Sequence, residues 1–87
     1  MEYSAKVPVP LSVVITKEGK WFVAACPVLD IATQGKDEKE VIENMKDLVE
    51  EYFEDPDTQK PTIQSMMSSS VSVINIPVKM EISNVEA

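Results

Sequence analysis

The sequence predicts an α+β fold of order β-β-β-α-β, in which a four-stranded mixed sheet carries one helix on one face. Three observations predict it. Turn-forming residues separate three short, β-rich apolar runs in the first part of the chain. A longer segment then repeats its apolar residues at helical spacing, and a last run alternates again. The 87 residues, 44% of them apolar, suffice for one core, so we assign residues 1–87 to a single domain.

The first two predicted strands form a hairpin. The run Val9–Thr16 is rich in β-branched residues, and a polar turn containing a glycine, residues 17–20, follows it. Trp21–Cys26 is the predicted return strand, because two apolar runs joined by such a turn are typical of a hairpin. Pro27 then interrupts pairing, and Ile31–Gln34 is the predicted third strand.

The helix is predicted from about Glu38 to Phe53. Asp37 and Glu40 have the spacing of a capping box, in which each side chain accepts a hydrogen bond from a free amide of the first turn. Pro56 blocks continuation of the helix. The apolar residues that recur three and four positions apart are Val41, Ile42, Met45, Leu48, Val49, Tyr52 and Phe53.

The last third of the chain predicts a loop and a fourth strand. Asp57–Ser70 is polar, and we expect it to be mobile apart from a single helical turn around Ile63–Met67. Val71–Ile82 alternates as a strand, with a change of apolar parity between Val73 and Ile74 that suggests a bulge. A helical crossover would bring this strand back beside the first strand and parallel to it.

One helix leaves the second face of the sheet uncovered. The strands nevertheless carry apolar residues of both parities, for example Val14 beside Ile15 and Phe22 beside Val23. An exposed apolar face of this kind is typical of an interface, so we expect a homodimer or another protein partner. The alternative is that the loop 57–70 folds over this face.

Composition excludes several function classes. The chain has no histidine, and its single cysteine, Cys26, lies in an apolar strand with no basic neighbour in sequence, so we expect a buried thiol. We predict no catalytic residues, no metal site and no cofactor. The eight basic residues are all lysine and the net charge is −7, which opposes direct binding to nucleic acid. We find no signal peptide or membrane span, so we expect a cytoplasmic protein that does not bind membranes.

Acidic residues concentrate on the predicted helix. Between residues 37 and 57 there are ten acidic residues and two lysines. On a helical wheel one arc opposite the apolar stripe holds Glu40 together with the five candidate partner-binding residues Glu43, Asp47, Glu50, Glu51 and Glu54. Several of them are like-charge pairs four residues apart, each costing about 0.2–0.5 kcal/mol. The arc is either a solubilising surface or a docking face for a basic partner.

Three stretches of the chain carry a family resemblance. Residues 19–29, 33–37 and 40–46, with Tyr52, resemble the HicB-like antitoxins, and the similarity covers roughly residues 11–53. The resemblance implies a partial, degenerate ribonuclease H-like domain that lacks the metal-binding carboxylates of the nucleases. It also implies a non-enzymatic antitoxin that binds and neutralises a HicA-type toxin, a small basic protein that cleaves messenger RNA with a histidine.

The chain departs from the family in two respects. Many members carry glycine where Asp30 stands, although aspartate tolerates a left-handed backbone better than most residues. Many also continue into a DNA-binding domain, whereas only five residues follow Ile82, so we expect no C-terminal DNA-binding domain and no operator binding. The alternative function is an orphan structural or regulatory module of the same fold, which acts through self-association or another protein partner.

Overall fold

The computed structural model describes residues 8–83 and belongs to the α+β class. Strands β1 (Val14–Glu18), β2 (Trp21–Cys26) and β3 (Ile31–Gly35) form an antiparallel sheet of order β1-β2-β3. The long helix α1 (Glu38–Glu54) follows β3, and a short helix α2 (Ile63–Ser68) comes after a loop. The first three strands and the helix confirm the predicted order. Residues 1–7 and 84–87 of the predicted domain lie outside the described residues.

The hairpin β1–β2 is tighter than the sequence predicted. Glu18 pairs with Trp21, so the connection is only Gly19 and Lys20, and Gly19 takes a left-handed φ of 63°. β1 therefore extends two residues beyond the predicted end at Thr16. β1 also starts later than predicted, at Val14 rather than at position 9. The ladder ends with the pair Val14–Ala25, and β2 ends one residue later at Cys26, so β2 offers no partner strand for the residues before Val14.

A tight turn joins β2 to β3. The N–H of Leu29 donates to the carbonyl of Cys26, and the N–H of Asp30 donates to the carbonyl of Pro27, each at 3.2 Å. Asp30 has φ 57°, the left-handed conformation that glycine adopts most easily. The expected tolerance of aspartate at this position is confirmed. β3 then continues one residue past the predicted end, to Gly35.

The capping interactions place the start of α1 at the predicted residue. The Asp37 carboxylate accepts from the N–H of Glu40 at 2.7 Å. The Glu40 carboxylate reaches back one residue further than an ordinary capping box and accepts from the N–H of Lys36 at 3.0 Å. α1 ends at Glu54, one residue beyond the predicted end, and its apolar stripe packs on the sheet. The buried core consists of Ala24, Cys26, Leu29, Val41, Met45 and Met66.

The predicted helical turn after α1 is confirmed as α2. Its N-cap Thr62 accepts from the N–H of Ser65 at 3.0 Å, and Met66 anchors the helix in the core beside α1. The alternative in which this segment covers the open sheet face receives no support, because Ile63 and Met67 are 54% and 60% exposed. Met66 instead joins the cluster that contains Val41 and Met45, on the helix side of the sheet.

The predicted fourth strand has no partner among the residues that the structure describes. Among residues 8–83 the sheet has three strands, and Val71–Ile82 is an exposed segment without regular hydrogen bonding. A strand needs a neighbouring edge as well as an alternating sequence, and here the edge of β1 stays free. Within the same range, neither helix combines the length and apolar character that crossing a bilayer requires.

Candidate protein-binding surface

The outward side of α1 carries a continuous acidic face. We use this name for Glu43, Asp47, Glu50, Glu51 and Glu54, which are all exposed. Their spacing of three and four residues places them on one side of the helix, and the buried Val41 and Met45 lie on the other. The structure therefore brings together all five predicted partner-binding residues.

No basic side chain in the last turn of α1 offsets the negative charge of the acidic face. The last turn of α1 contains no basic residue, although the partial negative charge of a helix C-terminus favours cations there. Glu50, Glu51 and Glu54 all lie near this end. Such an arrangement costs stability, and a cation supplied by another molecule would offset the cost.

An ordered turn extends the acidic surface beyond α1. The Asp55 carboxylate accepts from the N–H of Asp57 and from the Thr58 hydroxyl, both at 2.9 Å. These two hydrogen bonds, with a smaller contribution from the Lys60 ammonium, hold the pKa of Asp55 below its ordinary value of 3.8. The Tyr52 hydroxyl donates to the carbonyl of Gln59 at 3.2 Å. The first part of the loop that we expected to be mobile is thus tied to the end of α1.

An apolar groove lies between α1 and Val13, the residue just before β1. It has a volume of about 370 Å³, and Val13, Ile42, Met45 and Val49 line it together with Lys46 and Glu50. Val13 and Ile42 are each 38% exposed. Glu50 belongs both to the groove and to the acidic face, so the two surfaces are continuous.

The groove was not predicted from the sequence, because Ile42, Met45 and Val49 were all assigned to the apolar stripe that packs on the sheet. A helical stripe that contains both Ile42 and Phe53 is wider than a three-stranded sheet can cover, and both side chains remain 38% exposed. The width of this stripe was the available signal. This flank of α1 is therefore open to solvent in the part of the chain that the structure describes.

The far side of the sheet offers a second, shallower surface. Trp21, at 44% exposed, has the side-chain parity that points away from α1. A shallow depression nearby is lined by Val23, Ala32, Thr33 and Gln34. Open apolar surface on this side agrees with the expectation that one helix does not cover both faces.

Cys26 and the start of α1 both have structural roles. Cys26 is fully buried in the core, which confirms the predicted buried thiol. At the start of α1 the chain's own carboxylates accept from the N–H groups of Lys36 and Glu40 and cap the helix. Residues 8–83 contain no group of three or more acidic or cysteine side chains arranged to hold a metal ion.

Comparison of the chain with protein-family models, with curated proteins and with solved structures yields no match.

Proposed function

We propose that this chain is a non-enzymatic, HicB-like antitoxin domain that binds and neutralises a basic, HicA-type, mRNA-cleaving toxin by protein–protein contact. The observation that carries the proposal is the exposed acidic face of α1. A toxin that binds RNA must present a cationic surface, and five carboxylates on one rigid helix repeat negative charge as a phosphate backbone does. The same charge opposes direct binding of the chain to nucleic acid.

The ribonuclease H-like fold is part of this proposal. The order of the first three strands and α1 agrees with it, and the free edge of β1 is where the fold requires its fourth strand. The resemblance over residues 11–53 supports the same assignment, since it covers the three strands and most of α1. We place the domain in the cytoplasm, where such a toxin would act on messenger RNA.

The test is co-expression with the product of the neighbouring reading frame, followed by a growth assay and a pull-down. We expect a short, basic, histidine-containing protein that arrests growth alone and is neutralised by this chain. The triple variant Glu43→Lys/Asp47→Lys/Glu51→Lys should slow association about tenfold or more at low ionic strength and should flatten its salt dependence. Unchanged affinity and salt dependence would leave the acidic face as a solubilising surface.

A matched single variant separates a local effect from an effect of net charge. Asp47→Lys and Glu18→Lys change the net charge equally, and both positions are exposed. Glu18 lies on β1, away from the acidic face. We expect Asp47→Lys to weaken binding while Glu18→Lys leaves it within a factor of about two, because steering depends on where the charge lies.

The second candidate is an orphan module of the same fold that acts by self-association. The exposed apolar segment Val71–Ile82 and the open far side of the sheet favour this alternative. A neighbouring frame that encodes no basic, histidine-containing protein would support the orphan module over the antitoxin, whereas self-association alone agrees with both.

A further inference from the structure

The segment Val71–Ile82 exposes more apolar surface than any other part of the described chain. Six of its side chains are between 71% and 80% exposed: Val73, Ile74, Ile76, Val78, Met80 and Ile82. The chain has a radius of gyration of 18.1 Å, against about 12 Å expected for a compact domain of its length. The longest dimension is 74 Å, whereas the other two are 26 and 22 Å. The segment therefore extends away from the body that β1–β3 and α1 form.

The outer edge of β1 and the apolar groove together form a surface that could bind a strand. Within residues 8–83 β1 pairs only with β2, so no described residue bonds to its other edge. The apolar groove lies at the start of β1, between Val13 and Ile42, Met45 and Val49 of α1. A strand laid along β1 would complete the sheet and place apolar side chains in the groove.

We propose that Val71–Ile82 of one chain binds this surface on a second copy, so that two chains exchange their last strands in a symmetric dimer. Each copy has one free β1 edge and one unpaired segment. A reciprocal exchange therefore satisfies both and leaves no free β1 edge. This inference does not depend on the proposed antitoxin function.

The position of Pro77 determines which residues of the segment bond to β1. In a strand the N–H and C=O of one residue point to the same edge, and proline has no N–H to donate. Pro77 must therefore face outward, together with Asn75 and Lys79. The even-numbered residues then bond to β1, and their side chains form one uninterrupted apolar row: Ile74, Ile76, Val78, Met80 and Ile82. Ile15 packs on the core and bonds away from β2, so the segment must run antiparallel to β1 for this row to face α1 and the groove.

The connection before the segment favours a second copy over the same chain. Met66 anchors α2 in the core, and only Ser69 and Ser70 separate α2 from Val71. Ser69 has an extended backbone, φ −78° and ψ 146°, so the chain does not turn back at this residue. No glycine or proline provides a reversal there, and a short connection of this kind favours exchange between copies.

Charge also favours a second copy over a basic partner at this site. The only charged residues of the segment are Lys79 and Glu81, so it is neutral overall and has no attraction for a cationic protein. The groove that receives it carries one residue of each sign, Lys46 and Glu50. The twelve residues of the segment, with β1 and the groove, give about the 20–30 residues per partner of a standard interface.

The test is the mass of the full chain in solution, measured by sedimentation or by light scattering. We expect twice the chain mass of 9.7 kDa. Ile76→Lys, on the apolar row, should raise the dimer dissociation constant by at least about 30-fold, as expected for a central interface residue. The neighbouring Asn75→Lys adds the same charge on the outward row and should change it by less than about threefold.

A lengthened connection separates strand exchange from other dimers. Inserting Gly-Ser-Gly-Asn-Gly after Ser69 lets the segment turn back onto its own β1, so we expect a monomer whose far-UV circular dichroism keeps the strand signal. A monomeric natural chain, a dimer that Ile76→Lys does not weaken, or a dimer that survives the insertion would each overturn the proposal. Circular dichroism of Ile76→Lys distinguishes loss of the dimer from loss of the fold.

Discussion

Substitution of Gly35 by alanine tests the closest approach between the sheet and α1. An alanine Cβ at this position would lie 2.6 Å from the backbone N and 2.9 Å from the Cα of Val41, and 3.1 Å from the backbone carbon of Glu40. Ordinary contact begins at 3.4 Å. The start of α1 would therefore have to move by about 0.8 Å, and backbone atoms cannot rotate away as a side chain can.

The expected loss follows from three contributions. Overpacking costs about 1–3 kcal/mol. Displacement also strains the first helical hydrogen bond, from the N–H of Val41 to the carbonyl of Asp37 at 3.0 Å, which contributes about 0.5–1.5 kcal/mol. Alanine also lowers the conformational entropy of the unfolded chain, which stabilises the fold by about 0.4–1 kcal/mol and offsets part of this loss. At the midpoints of these ranges the net loss in the free energy of unfolding is about 2 kcal/mol, which lowers Tm by about 8–16 °C in a domain of this size.

The second glycine provides the matched control. Gly19 has no heavy atom within 4 Å of the position of an added Cβ, and its φ of 63° is the only obstacle to alanine. Gly19→Ala should therefore cost only about 1–2 kcal/mol. Urea and thermal unfolding of both variants, followed by far-UV circular dichroism, measure the difference. A Gly35→Ala variant that is at least as stable as Gly19→Ala would refute the packing argument.

Three further predictions concern single aspartates. Asp30→Val should lower the free energy of unfolding by about 1–2 kcal/mol because of the left-handed backbone, whereas Asp30→Gly should cause no loss; equal losses in urea unfolding would contradict this. Asp37→Ala should cost about 1 kcal/mol, and Asp37→Asn, which still caps α1, should restore most of it in the same assay. In a carboxyl NMR titration the pKa of Asp55 should lie below 3.8, and it should rise in Thr58→Val, which removes one of the two hydrogen bonds to the carboxylate. Folding lowers this pKa, so the ionised Asp55 stabilises the fold above about pH 4. That contribution is lost as the pH falls through the pKa of the folded state.

The elements with local signals could be predicted from the sequence. The bounds of α1 agree within one residue because the cap at Asp37 and the spacing of its apolar residues depend only on nearby residues. β2 agrees at both ends, since Gly19 and Pro27 bound it. The acidic face could also be predicted, because helical periodicity alone brings its carboxylates to one side.

Strand pairing was predicted less well because it depends on residues far apart in the chain. The ends of β1 differ from the prediction at both termini, since its length is determined by the ladder with β2. Val71–Ile82 has the alternation of a strand, but alternation does not specify which edge it joins or in which molecule. The groove also escaped prediction, because exposure of Ile42 and Val13 depends on what lies opposite them in space.

The sequence by itself determined the α+β class, the extent of α1, the buried thiol of Cys26 and the concentration of negative charge on one helix face. Each of these follows from interactions between residues close together in the chain, or from composition. Only the tertiary structure decided that Gly35 lies against the backbone of α1 and that, within residues 8–83, neither the outer edge of β1 nor the last apolar segment has a partner. Those features depend on which distant segments meet, and local sequence patterns do not specify that.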